Sequence, residues 1–228
     1  MYFVARGVKK RTMTLSLEDL YKKLYAHMGP QYWWPAESKI EIIVGAILVQ
    51  NTNWRNAAYA IERLSQETDL DPYRITQLPL ETLQTYIKSS GFYKNKGRAI
   101  QEVFRWLEQF DYDYDKIKAH CGDALRKQLL SLRGVGEETA DVLLVYIFDG
   151  VELIPDSYTR RILSKLGYAN TESYTKLKRH IDLPAHFSNQ DVNEFHALLD
   201  NFGKNYFNGK TEARYTFLDD DFIDDSRS

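Results

Sequence analysis

Between Leu132 and Arg161 the chain reads Leu-Arg-Gly-Val-Gly-Glu-Glu-Thr-Ala-Asp, then an apolar segment, and then Ile-Pro-Asp-Ser-Tyr-Thr-Arg-Arg. Gly134 and Gly136 flank one valine, a spacing that allows positive φ at both glycines and leaves backbone N–H groups bare. From Glu137 onward the apolar positions follow the 3.6-residue period of a helix. A shorter helix is predicted before the glycines. The pattern therefore predicts helix, tight hairpin and helix, with N–H groups that converge on a phosphate site.

This pattern resembles the helix-hairpin-helix DNA glycosylases of the endonuclease III superfamily. The resemblance is carried by Leu-x-Gly-Val-Gly-x-x-Thr-Ala and by the later segment Pro-Asp-Ser-Tyr. It implies that Asp156 is the catalytic carboxylate. It also implies that the hairpin grips the DNA backbone through Leu132, Gly134, Val135 and Gly136. Members that also cleave the strand carry a lysine where this chain has Glu138. A monofunctional glycosylase without lyase activity is therefore implied.

Asp156 also has a purely structural interpretation. An aspartate just before a helix that starts near Tyr158 is most often an N-cap, and a Gly-Val-Gly turn occurs in many helical proteins. Both roles are compatible. The helix dipole favours the anion, so we expect Asp156 to be ionised at neutral pH. At about 4 Å and an effective dielectric of roughly 20, it would stabilise an oxocarbenium-like transition state by on the order of 4 kcal/mol. It could also orient or deprotonate the attacking water.

Composition limits the classes of protein that fit. The chain has 228 residues, with 43% hydrophobic and 14% aromatic residues, enough for a sizeable core. Its one cysteine, Cys121, excludes a disulfide within the chain and a four-cysteine iron–sulfur cluster. We expect a cytoplasmic, nucleoid-associated monomer. The longest apolar run, 42–49, is too short to cross a membrane, so no membrane partner is expected.

The net charge of −2 gives only weak support for a DNA-binding protein. Part of it comes from residues 219–228, which hold five Asp and one Arg and are predicted to be an acidic, disordered tail.

No segment alternates apolar and polar residues like a strand, so we predict an all-α fold. The resemblance implies two lobes with the active-site cleft between them. One lobe is predicted over 37–152, and the other over 1–36 and 153–218.

Two further segments resemble DNA-inserting loops of the family. Val49-Gln50-Asn51-Thr52 resembles a Gln-x-Thr motif, which implies that Gln50 fills the gap left by an extruded base; the alternative is a plain helix C-cap. Gly91-Phe92-Tyr93 resembles the second wedge loop, which implies that Phe92 inserts between bases. We predict that three neighbouring cations contact phosphates, or else form a solvated helix start: Lys94, Lys96 and Arg98.

The tryptophans point to one branch of the family. Trp33-Trp34-Pro35, an aromatic at Trp54, Gly-Phe-Tyr and Glu138 together resemble the 3-methyladenine DNA glycosylase branch. An aromatic pocket would attract a positively charged alkylated purine by roughly 1–2 kcal/mol of cation–π energy. The alternative is that the tryptophans are ordinary core. Glu138 and Lys210 are candidates for the pocket mouth, although a surface helix end is the plainer interpretation of Lys210.

The sequence therefore predicts an enzyme that flips a damaged base out of double-stranded DNA and releases N-alkylated purines. The resemblance implies no cofactor, apart from a sodium or potassium ion on the hairpin carbonyls. Two rivals stay open. One is a glycosylase for another base, such as mispaired adenine or an oxidised pyrimidine. The other is a non-catalytic protein that binds DNA through the hairpin alone.

Overall fold

The computed structural model describes residues 14–32, 36–209 and 212–223. Within these ranges the regular structure is helical and contains no strand, which confirms the all-α prediction. The predictions for Trp33, Trp34, Pro35 and Lys210 lie outside the described residues. No helix of the described chain combines the length and apolar character needed to cross a bilayer.

The α-helices of the described ranges are α1 (Leu17–Met28), α2 (Lys39–Leu48), α3 (Trp54–Thr68), α4 (Pro72–Gln77), α5 (Leu80–Tyr86), α6 (Tyr93–Glu108), α7 (Tyr114–Cys121), α8 (Leu125–Ser131), α9 (Glu137–Ile147), α10 (Ser157–Lys165), α11 (Tyr174–His180) and α12 (Asn189–Phe207). Short 3₁₀ turns cover Lys88–Ser90, Gly122–Ala124 and Ala213–Tyr215. Since α6 begins at Tyr93, the last residue of the Gly91-Phe92-Tyr93 segment belongs to a helix.

Side-chain caps explain where most of these helices begin. A side-chain oxygen of the residue before the helix accepts a hydrogen bond from the backbone N–H of the third helical residue. Eight residues of the described chain do this: Ser16, Ser38, Asn53, Asp71, Asp113, Asp156, Ser173 and Ser188. By contrast α9 begins after Gly136, which provides no side-chain cap. The start of α9 therefore has no side chain over its N–H groups at the cap position.

One compact unit of the fold comprises Tyr32–Ile154 and Ala185–Glu194. Its centre is α2, an apolar helix that contacts α3, α6 and α9. The unit differs from the lobe predicted over 37–152 chiefly by including residues 185–194, which the prediction places in the other lobe. The reason is local: Asn189 Nδ2 donates hydrogen bonds to Val145 O at 2.8 Å and to Gly150 O at 2.7 Å.

The second compact unit comprises Met1–Gln31, Pro155–Pro184 and Phe195–Ser228. Its buried side chains come mainly from α1, α10 and the later part of α12, and they include Leu20, Leu24, Ile162, Leu163, Phe195 and Phe202. The prediction of a disordered tail is wrong for residues 219–223. There Asp221 forms an ion pair with Lys23, and Ile223 N–H donates to Lys165 O at 2.7 Å.

The hairpin between α8 and α9 is shaped by a close contact with α6. Gly134 has φ +84°, and a Cβ at this position would lie 2.5 Å from Ala99 Cβ. Gly136 has φ −88°, so this second glycine does not adopt the positive φ that the spacing allows, and no atom lies within 4 Å of its hypothetical Cβ. Only the first glycine is therefore required by the backbone and by packing.

The two glycines should respond differently to alanine. We expect Gly134→Ala to lower the free energy of unfolding by about 2–4 kcal/mol, because it adds left-handed strain and a clash with Ala99. Gly136→Ala, the matched control, should change it by less than about 1 kcal/mol. Urea unfolding followed by circular dichroism measures both. Equal losses in the two variants would contradict this interpretation of the hairpin.

Candidate active site

Asp156 is held as a helix cap with one oxygen turned to a neighbouring helix. Its Oδ1 accepts a 2.7 Å hydrogen bond from Thr159 N–H at the start of α10. Its Oδ2 lies 4.0 Å from His196 Nε2 on α12, and the Asp156 side chain is only 14% exposed. The structural and functional interpretations of Asp156 therefore coexist: the carboxylate caps the helix and still has an oxygen that the cap does not use.

The face of α12 beside Asp156 carries three ionisable residues that sequence reasoning missed. His196, Asp200 and Lys204 are spaced by four residues, so they share one face of the helix. His196 and Asp200 are buried, and Lys204 Nζ pairs with Asp200 Oδ2 at 2.5 Å. The signal that could have found them is this four-residue polar spacing next to the apolar positions of the same helix.

Burial governs the protonation of this group. It raises the pKa of Asp156 above its usual range, against the opposing effects of the Thr159 N–H and of the positive charges of Lys204 and Arg160. The helix dipole, on which the expectation of an ionised Asp156 was based, favours the anion, whereas burial acts in the opposite direction. A carboxylate whose pKa moves toward neutrality is a stronger proton acceptor than an exposed aspartate.

The histidine beside Asp156 does not supply a charge. The pKa of His196 is lowered to about 4, chiefly by burial and also by the charge of Lys204, against the opposing effect of Asp200. At neutral pH the ring is therefore uncharged. It covers the Asp156 carboxyl group without neutralising it.

The hairpin belongs to the other unit, and the DNA contact predicted for it is made by backbone. The side chains of Leu132 and Val135 are buried in the core, so the DNA-binding role predicted for these two residues is limited to their backbone atoms. Gly134 and Gly136 are exposed, as the assignment requires. What the hairpin presents to solvent is therefore backbone at the two glycines and at the uncapped start of α9.

Gln50 is fastened to this hairpin. Its Nε2 donates to Gly134 O at 3.2 Å and to Thr139 Oγ1 at 2.9 Å. In this arrangement the amide braces the turn and does not extend outward. The predicted insertion into DNA requires Gln50 to give up both bonds.

Phe92 stands out from the surface in a strained conformation. The side chain is 68% exposed, and the residue has φ 45° and ψ 25° as the N-cap of α6. A left-handed backbone at a bulky residue costs roughly 1–2 kcal/mol. An exposed phenyl ring held at such a site is typical of a residue kept for a contact with another molecule.

Of the three cations predicted to bind phosphate, two are exposed and one is buried. Lys94 and Arg98 are exposed on the first turns of α6. Lys96 is buried, and its Nζ donates to Leu48 O at 2.9 Å and to Ser90 O at 2.6 Å. Its burial also lowers its pKa. The phosphate role predicted for Lys96 is therefore wrong for this geometry, because its ammonium group ties the end of α2 to the turn before α6.

A small open cavity of about 150 Å³ lies between the hairpin, Gln50 and Phe92. Its lining comes from one unit and consists of Gln50, Asn51, Phe92, Asn95, Lys96, Ala99 and Gly134. The hairpin, the predicted gap-filling glutamine and the predicted wedge thus share one surface, which we call the hairpin surface.

Of the residues predicted to line the base pocket, Trp54 and Glu138 lie in the described ranges. Trp54 is the first residue of α3 and is 38% exposed, so it is not fully enclosed in the core. Glu138 lies exposed in the first turn of α9.

The sodium or potassium ion on the hairpin carbonyls stays a prediction. Three of these carbonyls, those of Leu132, Gly134 and Gly136, accept hydrogen bonds within the protein. Within the ranges that the structure describes, no group of three or more His, Cys, Asp or Glu could hold a metal ion.

Comparison with known proteins gives a family match. A family model described as "HhH-GPD superfamily base excision DNA repair protein" matches residues 44–185. A Methanocaldococcus jannaschii protein with the provisional name DNA repair glycosylase MJ1434 is 35% identical over 183 residues, covering 79% of this chain and 83% of that protein. Endonuclease III of Sulfolobus acidocaldarius is 29% identical over 159 residues, or 69% of each chain.

Solved structures agree on the fold. The H. pylori 3-methyladenine DNA glycosylase MagIII, bound to 1,N6-ethenoadenine, superposes with a TM-score of 0.71 at 23% identity, covering 87% of this chain and 100% of that chain. A trapped endonuclease III–DNA covalent intermediate gives a TM-score of 0.64 at 20% identity, covering 82% of this chain and 86% of that chain. The likeness to both confirms the helix-hairpin-helix glycosylase fold.

The family model spans more than half of the chain, and the archaeal relative is similar over most of its length. The chain therefore belongs to the HhH-GPD superfamily of base excision DNA repair proteins and is a DNA glycosylase, an enzyme that hydrolyses N-glycosidic bonds.

Proposed function

We propose that this glycosylase is monofunctional and releases N-alkylated purines, with 3-methyladenine as the first candidate, from double-stranded DNA. The observation that carries the proposal is the setting of Asp156, a nearly buried carboxylate with one oxygen in a helix cap and the other outside it. Such a group is poised to act on charge that develops at a sugar.

The main requirement of the reaction is stabilisation of the positive charge that develops on the sugar. Loss of the base leaves positive charge on the deoxyribose, and a carboxylate in a water-poor site stabilises that charge more strongly than one in bulk water. The raised pKa of Asp156 also suits it to take a proton from the attacking water. Since an alkylated purine already carries positive charge, it leaves without a strong general acid.

The absence of lyase activity rests on the first turn of α9. A strand-cleaving mechanism needs an amine that forms a Schiff base with the sugar. Glu138 stands at the family's lysine position, and a carboxylate cannot form that bond. Lys96 does not replace the amine in this structure, since its ammonium is held by two backbone carbonyls.

Preference for alkylated purines is supported by aromatic residues. Trp54 offers a partly exposed indole at the start of α3, and Trp33-Trp34-Pro35 is present in the sequence. An indole face attracts a cationic base by roughly 1–2 kcal/mol more than a neutral one when water is excluded. The solved neighbour with a TM-score of 0.71 is named as a 3-methyladenine glycosylase, which favours the same class.

A second candidate is a glycosylase for an oxidised pyrimidine. It is favoured by sequence relatives that carry the name endonuclease III, at 29% and 30% identity. In either case we propose that the hairpin surface holds the DNA. The N–H groups at the start of α9 would meet a phosphate, with Lys94 and Arg98 beside it and Phe92 entering the base stack.

The direct test is base release by the wild-type protein. We expect release of 3-methyladenine from methylated duplex DNA, with strand breaks only after alkali treatment, and little release of oxidised pyrimidines from a matched duplex. Chromatography of the free bases and gel analysis of the strand measure these outcomes. Release of the oxidised pyrimidine alone would select the second candidate, and tight DNA binding without any release would contradict the proposed activity.

Replacement of the carboxylate should separate catalysis from folding. We expect Asp156→Asn to lower the single-turnover rate about 10³-fold, since roughly 4 kcal/mol of charge stabilisation is lost. Thermal stability should change little, because asparagine also caps helices well. Asp113→Asn, which changes the corresponding cap of α7, is the control and should retain full activity. Unchanged turnover in Asp156→Asn would remove this residue from the mechanism.

Trp54 should matter to the charged base and not to DNA in general. We expect Trp54→Ala to lower kcat/KM for the methylated duplex by about 5- to 30-fold, as the loss of one cation–π contact predicts. Affinity for a duplex with an abasic-site mimic should be kept. Tyr59→Ala removes another exposed ring from α3 and serves as the control. A similar loss in both variants would indicate a general surface effect.

The strain at Phe92 gives a further prediction. Phe92→Asn should leave the free energy of unfolding unchanged or raise it by up to about 1 kcal/mol, because asparagine tolerates a left-handed backbone. Affinity for the damaged duplex should fall, because the wedge is lost. Calorimetry and fluorescence anisotropy measure the two quantities. A less stable variant with normal DNA affinity would show that the ring serves the fold.

A further inference from the structure

The polar face of α12 beside Asp156 has no assigned part in the reaction. His196, Asp200 and Lys204 follow one another at four-residue intervals on a helix whose other inward positions are apolar, among them Phe195, Leu198, Leu199 and Phe202. His196 is 7% exposed and Asp200 is 6% exposed. Ionisable groups are seldom buried to this degree, so their position calls for a physical reason.

A close helix contact places this face against Asp156. At Gly203 of α12, an added Cβ would lie 2.5 Å from Tyr158 Cβ of α10. Any larger residue at Gly203 would push the two helices apart. Asp156 lies two residues before Tyr158, and its Oδ2 is 4.0 Å from His196 Nε2. The close contact between α10 and α12 therefore holds the polar face of α12 next to Asp156 Oδ2, the oxygen that does not accept the capping hydrogen bond.

Two positively charged side chains and one carboxyl group lie around Asp156. From α10, Arg160 acts on it, and from α12 come the uncharged His196 ring, the Asp200 carboxyl group and the Lys204 ammonium group. Lys204 lowers the pKa of Asp156, and its ammonium group is bound to Asp200 at 2.5 Å, so the Asp200 carboxyl group opposes this effect when it is ionised. If either member of the pair is removed, the effect of the other on Asp156 is no longer opposed by that partner.

We propose that Asp200 and Lys204 are positioning residues for Asp156, which together set how tightly its carboxyl group holds a proton, while the uncharged His196 ring keeps water from the oxygen outside the cap. The proposal rests on the proposed catalytic role of Asp156. Stability alone does not explain the pair, because a buried ion pair is often no more stabilising than apolar residues of the same size.

The test is a pair of opposite charge deletions. Asp200→Asn leaves the Lys204 charge acting on Asp156, so the acid limb of the single-turnover pH profile should move down by about 1 pH unit. Lys204→Gln leaves the Asp200 charge, so the limb should move up by a similar amount. The double variant, Asp200→Asn with Lys204→Gln, is the matched control and should lie near the wild-type profile.

The opposite signs distinguish positioning from a structural role. If the pair only supports the fold, both single variants would lose activity at every pH with an unmoved limb. Shifts in the same direction, or none, would overturn the proposal. The Lys204 side chain is 44% exposed, so Lys204→Gln should fold even if Asp200→Asn does not. In that case an upward shift of the acid limb in Lys204→Gln supports the proposal, and no shift or a downward shift overturns it.

A second readout does not depend on catalysis. Carbon-13 NMR of aspartate carboxyl groups in the full chain follows the Asp156 titration directly, with the resonance assigned by its loss in Asp156→Asn. The same opposite shifts are expected in Asp200→Asn and Lys204→Gln. If the wild-type protein releases no base, the proposed function fails, and the NMR shifts still uphold or overturn this proposal.

Discussion

The 2.7 Å hydrogen bond from Thr159 N–H to Asp156 Oδ1 is the contact on which the candidate active site depends. It starts α10 and at the same time fixes the orientation of a carboxyl group that little water reaches. Because one oxygen is committed to the helix, the direction of the other follows from the backbone and not from a flexible side chain. Stability and reactivity are thus provided by the same residue, with burial making the carboxyl group a better proton acceptor.

In the other unit, packing and one hydrogen bond fix the backbone of the hairpin at Gly134. Gly134 lies so close to Ala99 that only a glycine fits, and Gln50 holds the same turn through its carbonyl. The hairpin therefore keeps its shape without a side-chain cap on α9. For Gln50 to enter DNA it must release two hydrogen bonds, each worth about 1 kcal/mol net, so the bound duplex has to supply at least that much. DNA binding and the ordering of the hairpin are in this way linked.

The sequence predicted features that depend on near neighbours in the chain. The helical class, the cap at Asp156 and the glycine turn follow from local spacing and propensity. Features that depend on distant contacts were missed or wrong. Lys96 is buried because it reaches a carbonyl 48 residues earlier, at the end of α2. The raised pKa of Asp156 and the position of the α12 polar face beside it depend on how α10 meets α12 at Gly203, which no local pattern reveals.

The most direct measurement is a crystal structure of the protein with a duplex that carries a non-hydrolysable analogue of 3-methyladenosine. We predict that the modified nucleotide is turned out of the stack and that Asp156 Oδ2 lies within about 4 Å of its C1′ atom. An analogue that stays stacked in a fully bound duplex, or a C1′ atom that faces a different carboxyl group while Asp156 serves only as a helix cap, would contradict the central role given to this residue.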